Sequence, residues 1–313
     1  MKVSIIIVCM NNMKNIYPCL SSIRNLTRIE YEVLLVAYMF SDENLQKIKV
    51  DFPWVTIIES KEVRGFSENN NLALKVAKGD YCFVLNDDTY FDTPVIDTLY
   101  DSMIAHQAVD IMSPNLYYPD GRAQFLGRPY LDAISFILST LHIWGEENMR
   151  RKYRNRTGLY DIYNISGAAF IIKTKVFRQL GWFDEKYFFC PEDIALSTKA
   201  ICHGYKICQN PSVKITHVGG GTSSPIGEAT LPASFKGHLI FYSNQKYWKF
   251  WLICLIEYPI VFAKYVYFKM LFAIKKEEVF NISANSEMNT LITMGSSMTP
   301  KEIFIKYYSK MAK

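Results

Sequence analysis

Short apolar runs, each followed by a segment with helical spacing, set the rhythm of the first third of the chain. Ser4 to Cys9, Tyr31 to Val36, Val55 to Glu59 and Tyr81 to Leu85 read as strands, with helices over Asn15 to Asn25, Ser41 to Phe52 and Ser67 to Ala77. Continuous Val, Ile and Leu runs, rather than strict alternation, mark strands covered on both faces. The pattern therefore predicts an α/β fold with a mostly parallel central sheet and crossover helices. Ligands of such sheets bind beyond the carboxyl ends of the strands.

After Leu85 the rhythm changes. A helix is predicted from Pro94 to His106, a strand near Ile111, and a tight turn at Tyr118-Pro119-Asp120-Gly121. Gly127 to Asp161 lacks a regular period and carries Arg150, Arg151, Lys152, Arg154 and Arg156 close together, which reads as a solvated face or, functionally, a phosphate or lipid-headgroup contact. A strand-like run, Ile162 to Ile172, precedes a helix from Thr174 and another from Pro191 to His203, closed by Gly204.

Tyr247 to Ile274 is the most apolar stretch, but Lys249, Glu257, Pro259, Lys264 and Lys269 interrupt it before about 18 uninterrupted apolar residues accumulate. Tyr and Trp mixed with Lys suit helices lying at a membrane interface. A helical pair packed on the main domain is the alternative, and a spanning helix is not expected. The tail after Asn281 is polar and weakly periodic.

Composition narrows the classes. Half of the 313 residues are hydrophobic and 15% aromatic, enough apolar material for a large core and too much for a disordered chain. Lys and Arg exceed acids by only 35 to 30, which argues against a nucleic-acid partner and leaves phosphate-bearing small molecules or an anionic membrane surface. The seven cysteines are odd in number with no paired spacing, and Cys9 and Cys82 fall inside predicted strands, so a reducing compartment is expected. The apolar run Val3 to Cys9 is too short for a signal-peptide core and reads as a first strand.

Three segments carry candidate chemistry. Asn86-Asp87-Asp88-Thr89 follows the strand Tyr81 to Leu85, so its acids project into the expected ligand crevice, where a divalent cation holding a diphosphate belongs. A cap on the next helix is the structural alternative. Cys190-Pro191-Glu192-Asp193 sets two acids at a helix start, where the macrodipole favours negative charge and where a general base for a hydroxyl also fits. His217 follows the apolar strand Val213 to Thr216 and precedes Gly219-Gly220-Gly221-Thr222-Ser223, a stretch suited to closing over a diphosphate. Cys202, His203, Cys208 and His217 lack zinc-site spacing.

Taken in order, Val3 to Val8, Arg64-Gly65-Phe66 with Asn70-Asn71, Leu85 to Asp88, Ile165-Ser166-Gly167-Ala168, Gly181 to Glu185, Glu192-Asp193 and His217 resemble family-two glycosyltransferases, particularly the rhamnosyltransferase-like branch. The resemblance covers roughly residues 3 to 225 and implies a GT-A-type fold, a nucleotide-diphosphate sugar donor, Mn or Mg, and inversion at the anomeric carbon. By position, Asp88 matches the final acid of the D-x-D element and the metal ligand, with His217 as a further ligand. Asn86 takes the first acid's place. Asp193 matches the catalytic base and Glu192 its acceptor-placing neighbour. Arg64, Gly65, Asn70, Asn86, Asp87, Gly167 and Ala168 are the implied donor and nucleotide contacts. The match implies a catalytic domain over 1–230, with a nucleotide-binding half 1–110 and an acceptor-binding half 111–230. An apolar helical, membrane-interfacial segment 231–280 and a polar tail 281–313 would follow.

The sequence departs from that pattern at three places. Ala37 stands where the family has a base-reading aspartate, with Asp42 as a weaker substitute, so uridine and thymidine are not distinguished. Ala73 replaces a glycine after the Asn pair, and Ala195 replaces the second acid of the Glu-Asp-x-Asp pattern. The implied function is transfer of a sugar from a UDP- or dTDP-linked donor to a hydroxyl of a glycan or lipid-linked saccharide. It belongs with bacterial surface polysaccharide synthesis, by a cytoplasmic enzyme peripherally held at the inner membrane. An impaired nucleotide- or lipid-binding paralogue and a sugar nucleotidyltransferase are the alternatives, although the latter's glycine and basic phosphate loop near the N-terminus is missing. A dinucleotide oxidoreductase needs a glycine-rich turn after the first strand, and Cys9-Met10-Asn11-Asn12-Met13 has none.

Overall fold

The computed structural model describes residues 1–220 and 226–311. Two compact units are distinguished. The first comprises Met1–Tyr130, Glu146–Asp184 and Asp193–Gly221, and the second Leu131–Gly145, Glu185–Glu192 and Thr222–Lys313.

The first unit opens with β1 (Val3–Met10), α1 (Met13–Leu26), β2 (Tyr31–Tyr38), α2 (Asp42–Asp51), β3 (Thr56–Ser60), α3 (Phe66–Leu74) and β4 (Tyr81–Asn86). The strands pair in parallel in the order β3-β2-β1-β4, as the unbroken apolar runs predict. β1 is central, and Val3, Ile5, Ile6, Ile7 and Cys9 are fully buried because both faces of the sheet are covered. Polar side chains open the first two helices: Asn12 caps α1 through Asn15 N, and Ser41 caps α2 through Asn44 N.

Beyond β4 come β5 (Thr89–Tyr90), α4 (Val95–Ala105), β6 (Ile111–Tyr117), β7 (Ala123–Phe125), α5 (Ala133–Thr140, which belongs to the second unit), α6 (Glu146–Tyr153), β8 (Tyr160–Asp161) and β9 (Ala169–Lys173). They are followed by α7 (Thr174–Gln179), α8 (Glu192–Cys202) and β10 (Ile207–His217). The sheet continues from β4 through β9, β6 and β10 to β5. Here it is mixed: β9 runs antiparallel to both β4 and β6, while β6 and β10 are parallel. The Pro-Asp-Gly turn joins β6 to β7 as expected, with Gly121 at φ 81°.

Two expectations for this region change. Gly127 to Asp161, expected to be irregular, contains α5 and α6. Arg150 and Arg151 on α6 and Arg154 just after it all pair with Glu147, Arg150 and Arg154 at 2.9 and 3.0 Å. Charged i,i+3 and i,i+4 pairs support a helix that has no apolar period to announce it. The single strand expected over Ile162 to Ile172 shrinks to Ala169–Lys173, because the chain before it bends so that Asn164 can bond Pro129 O at 2.6 Å and Ile165 N can reach Ser197 Oγ at 3.1 Å.

In the second unit, α9 (Gly227–Tyr242), α10 (Tyr247–Lys275), α11 (Glu278–Met294) and α12 (Pro300–Met311) follow in order. Its core is Phe235, Leu239, Ile253, Cys254, Val261 and Met294, with Ala133 and Phe136 packed against it. The stretch 247–274, read as interfacial helices or, alternatively, a packed helical pair, is one continuous helix running through Pro259, long and apolar enough by length and composition to cross a membrane. The tail expected to be weakly structured after Asn281 is helical, because α11 and α12 pack on α9 and α11 also packs on α10. Buried Lys236 locks this packing, donating to Met294 O (3.0 Å) and Ser296 O (2.6 Å), the orphan carbonyls at the end of α11. Burial pushes its amine below the ordinary lysine value.

Glu257 on α10 is the costly member. It is fully buried, neither carboxyl oxygen has a hydrogen bond, and the nearby Thr140 hydroxyl donates instead to Phe136 O. Lys264, the neighbouring cation, is committed to Glu287 at 2.9 Å. Burial above all, reinforced by the Glu287 charge and offset in part by Lys264, raises the Glu257 pKa from 4.5 to about 7. A carboxyl whose pKa is raised on folding favours the folded state below its unfolded value, and the benefit fades as pH rises through about 7. Glu257→Gln is therefore expected to raise the melting temperature at pH 8 and to leave it near wild type at pH 5, as read by thermal melts across that range.

Candidate active site

The acids of Asn86-Asp87-Asp88 stand where β4 ends, and each meets a different environment. Asp88 is buried; its Oδ2 accepts Gly219 N at 3.0 Å and its Oδ1 lies 3.1 Å from His217 Nε2. His217, 131 residues away in sequence from Asn86, arrives because the end of β10 pairs antiparallel with β5, setting His217 opposite Thr89. Gln124 on β7 fixes the ring, its Oε1 2.6 Å from Nδ1. The ring thus stands between the Gln124 amide on its Nδ1 side and the Asp88 carboxylate on its Nε2 side. Asn86 Nδ2 lies 3.4 Å from the same nitrogen.

Asp87 faces inward. Its Oδ2 is buried without a hydrogen bond, and burial above all, with the neighbouring Asp88 charge, raises its pKa from 3.8 to about 7. Cys9 at the end of β1 is its hydrogen-bonding neighbour, and burial with the Asp87 charge holds that thiol well above the ordinary range.

Asp193 is the second residue of α8. Its Oδ1 accepts Ile194 N at 2.8 Å, and its Oδ2 accepts both Gly167 N (3.2 Å) and Arg128 Nη1 (3.1 Å). A helix-start acid thus gains a lateral amide and a guanidinium beyond its own helix, which fixes its plane. Ser197 Oγ donates to Asp193 O at 2.7 Å and accepts Ile165 N at 3.1 Å, binding α8 to the segment that carries Gly167. Glu192, the first residue of α8, is buried. Ala168 O accepts Asn86 N at 2.9 Å. Consecutive residues, Gly167 and Ala168, therefore hold the base candidate on one side and the metal-acid strand on the other.

Other predicted residues lie apart from this linkage. Arg64 Nη1 donates to Ser60 Oγ at 3.2 Å, and its other nitrogen pairs with Glu62. Gly65 is the N-cap of α3, its N–H donated to Glu68 Oε2 at 3.0 Å. Asn70 is buried, with its amide bonded to Phe66 O at 2.9 Å within the helix. Asn71 clamps Phe183, donating to its carbonyl at 3.0 Å and accepting its N–H at 3.1 Å. Ala37 is buried on β2 and Asp42 is exposed at the start of α2. Gly221, Thr222 and Ser223 lie outside the described residues, while Gly219 and Gly220 take φ of 74° and 72°.

Arg128 and Gln124 are absent from the sequence reading. Nothing in their own residue types signals a role, but Gly127 does: it sits at φ 112°, and a Cβ there would come within 2.6 Å of Ile162 Cγ2. That glycine turns the chain so that Arg128 reaches Asp193.

Among the described residues no three His, Cys, Asp or Glu side chains gather as a cluster for a metal. The pair of Asp88 carboxylate and His217 imidazole still fits a hard divalent cation, since Mg-type sites take one or two protein carboxylates and complete their shell with substrate phosphate and water. A carboxylate oxygen and an imidazole nitrogen 3.1 Å apart are a donor set that suits such a cation.

A family model described as glycosyl transferase family 2 matches residues 4–181. N-acetylglucosaminyl-diphospho-decaprenol L-rhamnosyltransferase of Mycobacterium tuberculosis is 24% identical over 174 residues, 53% of this chain and 56% of that protein. The O-antigen biosynthesis protein RfbC of Myxococcus xanthus is 24% identical over 207 residues, 62% of this chain and 14% of that protein. The chain thus spans about half the length of the first and a small part of the second. In three dimensions it is similar to a mannosyltransferase from Pyrobaculum calidifontis in complex with GDP-Man and Mn2+, with a TM-score of 0.53 at 16% identity over 99% of this chain and 80% of that one. That likeness establishes the GT-A fold.

The Asn71 clamp gives a direct test of how this end of the sheet is held. Asn71→Ala leaves a buried N–H and a buried C=O of Phe183 without partners, and each such loss costs about 1–3 kcal/mol. Denaturant unfolding should show a loss of about 2 kcal/mol or more, and an unchanged midpoint would show that the clamp does not hold α3 to this segment.

Proposed function

The chain belongs to glycosyl transferase family 2, and from that premise we propose that it is an inverting transferase acting on a nucleotide-diphosphate sugar. The donor is a UDP- or dTDP-linked hexose or deoxyhexose. The acceptor is a hydroxyl of a glycan or lipid-linked saccharide, in bacterial surface polysaccharide synthesis at the cytoplasmic face of the inner membrane. Support for the acceptor class comes from the names of the two sequence relatives, one a rhamnosyltransferase acting on a diphospho-decaprenol sugar and the other an O-antigen protein. The observation that carries the reading is the linkage of Asn86, Ala168, Gly167 and Asp193, which couples an acid set suited to a cation to a carboxylate held by three donors.

Asp88 and His217 would hold Mn or Mg, and the solved mannosyltransferase was captured with Mn2+. Bound there, the cation neutralises the donor diphosphate and the charge that develops as it leaves. Asn86 and Asp87 line the same strand end for the donor, with Arg64, Gly65 and Asn70 assigned to the nucleotide side. Gly167 and Ala168, without bulk, allow the sugar close to the backbone. Asp193 accepts the proton of the attacking acceptor hydroxyl. The oxygen then bonds to the anomeric carbon as the bond to the diphosphate breaks, and the nucleoside diphosphate departs with the electron pair. One displacement inverts the centre, and no enzyme nucleophile takes part. Glu192 sits beside the base and helps to place the acceptor.

Asp88→Ala should abolish the Mn dependence of nucleotide-diphosphate binding measured by calorimetry. Unchanged affinity and unchanged metal dependence would remove Asp88 from the metal site.

Asp193→Asn should leave donor and metal binding near wild type and lower transfer by about 100-fold to 10,000-fold, the usual worth of general-base help. An amide has one accepting oxygen in place of two, so a donor among Ile194 N, Gly167 N and Arg128 loses its partner and the melting temperature should fall slightly. Near-normal turnover in the folded variant would move the base to another residue, with Glu192 next in line.

A further inference from the structure

Among the described residues, one side of α10 is largely exposed. Ile253, Cys254, Glu257 and Val261 form its buried stripe against the helices of the second unit. On the opposite side Trp248, Trp251, Leu252, Leu255, Ile256, Tyr258, Phe262, Val266, Tyr267, Met270 and Ile274 are exposed, Leu255 at 73% and Ile274 at 75%. No charged residue is exposed between Tyr247 and Ile274: Glu257 is buried, and Lys249, Lys264 and Lys269 are half-buried at the flanks. At the rise of an α-helix this uncharged stripe runs on the order of 40 Å. Contiguous exposed apolar side chains of this kind mark surfaces that meet a protein or a membrane. α5, which packs on α10, exposes Ile134 as well, with Leu141 and Ile143 exposed just beyond it.

We infer that this stripe is a membrane-docking surface that lies in the plane of an anionic bilayer, its apolar side chains at the acyl boundary, and that α10 does not cross the membrane. The inference deepens the reading of a lipid-linked acceptor and rests on it for its purpose. The charges choose the occupant. Lys246 and Lys249 flank Tyr247 and Trp248 at the amino end of the stripe with no acid among Asn244, Gln245 and Lys246, a cation and aromatic mixture suited to lipid headgroups. Two copies meeting through this end would set lysine against lysine. The packed side decides between lying and spanning. It holds Glu257, the Lys264–Glu287 pair at 2.9 Å and Lys269 Nζ 3.4 Å from Asn281 Oδ1. The covering helix α11 carries Asn281, Asn285, Ser286, Glu287, Asn289 and Thr290. Hydrocarbon on all sides of α10 would require stripping that polar partner away.

The test uses the full chain and vesicles of phosphatidylcholine, alone or mixed with phosphatidylglycerol. Wild type should sediment with the mixed vesicles and be released by alkaline carbonate. Leu255→Glu with Phe262→Glu should weaken binding at least tenfold while donor hydrolysis in solution stays at the wild-type rate. Lys246→Gln with Lys249→Gln should reduce binding to the mixed vesicles by about 10-fold to 30-fold, from about 1 kcal/mol for each basic residue near an anionic surface. Quenching of native tryptophan by lipids brominated near the headgroup should exceed quenching by lipids brominated near the chain end, a readout that needs no variant. Unchanged binding by the glutamate variant, retention in carbonate, stronger quenching from the deep bromines, or a stable dimer burying the stripe would each overturn the inference. Loss of transfer with vesicle binding intact would count against the enzymatic reading alone.

Discussion

The antiparallel insertion of β9 beside β4 is the constraint on which the rest of the site depends. Leu85 pairs with Ala169, and one further bond, Asn86 N to Ala168 O, carries the pairing past the end of the strand. Without it the acid turn at 86–88 and the α8 start at 193 would be separate surface features of a sheet and a helix. With it, the next backbone N–H, that of Gly167, reaches Asp193. The geometry is held because each step is a hydrogen bond donated by a backbone amide, Asn86 N to Ala168 O and Gly167 N to Asp193 Oδ2.

That arrangement has an electrostatic cost, which is met unevenly. Asp193 has three donors and Asp88 has an amide and an imidazole, so these two carboxylates are well supported. Asp87 is not: it is buried, one oxygen has no partner, and its pKa is raised to about 7. The turn directs one acid toward His217 and Gly219 N and its neighbour toward Cys9 at the end of β1, where no donor meets its second oxygen. The second unit repeats this economy on its own scale, with Lys236 satisfied by helix-end carbonyls and Glu257 left unsatisfied among apolar side chains.

Much was readable because it is local. The parallel strands β1 to β4, their crossover helices and the acids at the end of β4 follow from runs of Val, Ile and Leu and from the rule that ligands sit at strand ends. Asp88, Asp193 and His217 could be named from residue type and their place after a strand or at a helix start, together with the family resemblance. The Pro-Asp-Gly turn and the Gly204 helix end were legible for the same reason, since each encodes its own backbone angle.

What the sequence could not determine is long-range or depends on partners. Helices α6 and α11 have too little apolar periodicity to announce themselves and exist because ion pairs or packing on other helices offset the chain entropy, whereas α12 buries Ile303, Phe304 and Tyr307 at helical spacing that a reading of the tail as polar passes over. Pro259 reads as an interruption, yet α10 continues through it, because packing along one side holds the turns on either side in line. Arg128 and Gln124 acquire their roles only when β7, β10 and α8 converge, for an arginine or a glutamine carries no mark of the carboxylate or imidazole it will meet. The sequence by itself determined which strands are buried and which acids end them. The tertiary structure decided which acid faces a partner and which is trapped, because that depends on the direction of a side chain across a sheet and not on its position along the chain.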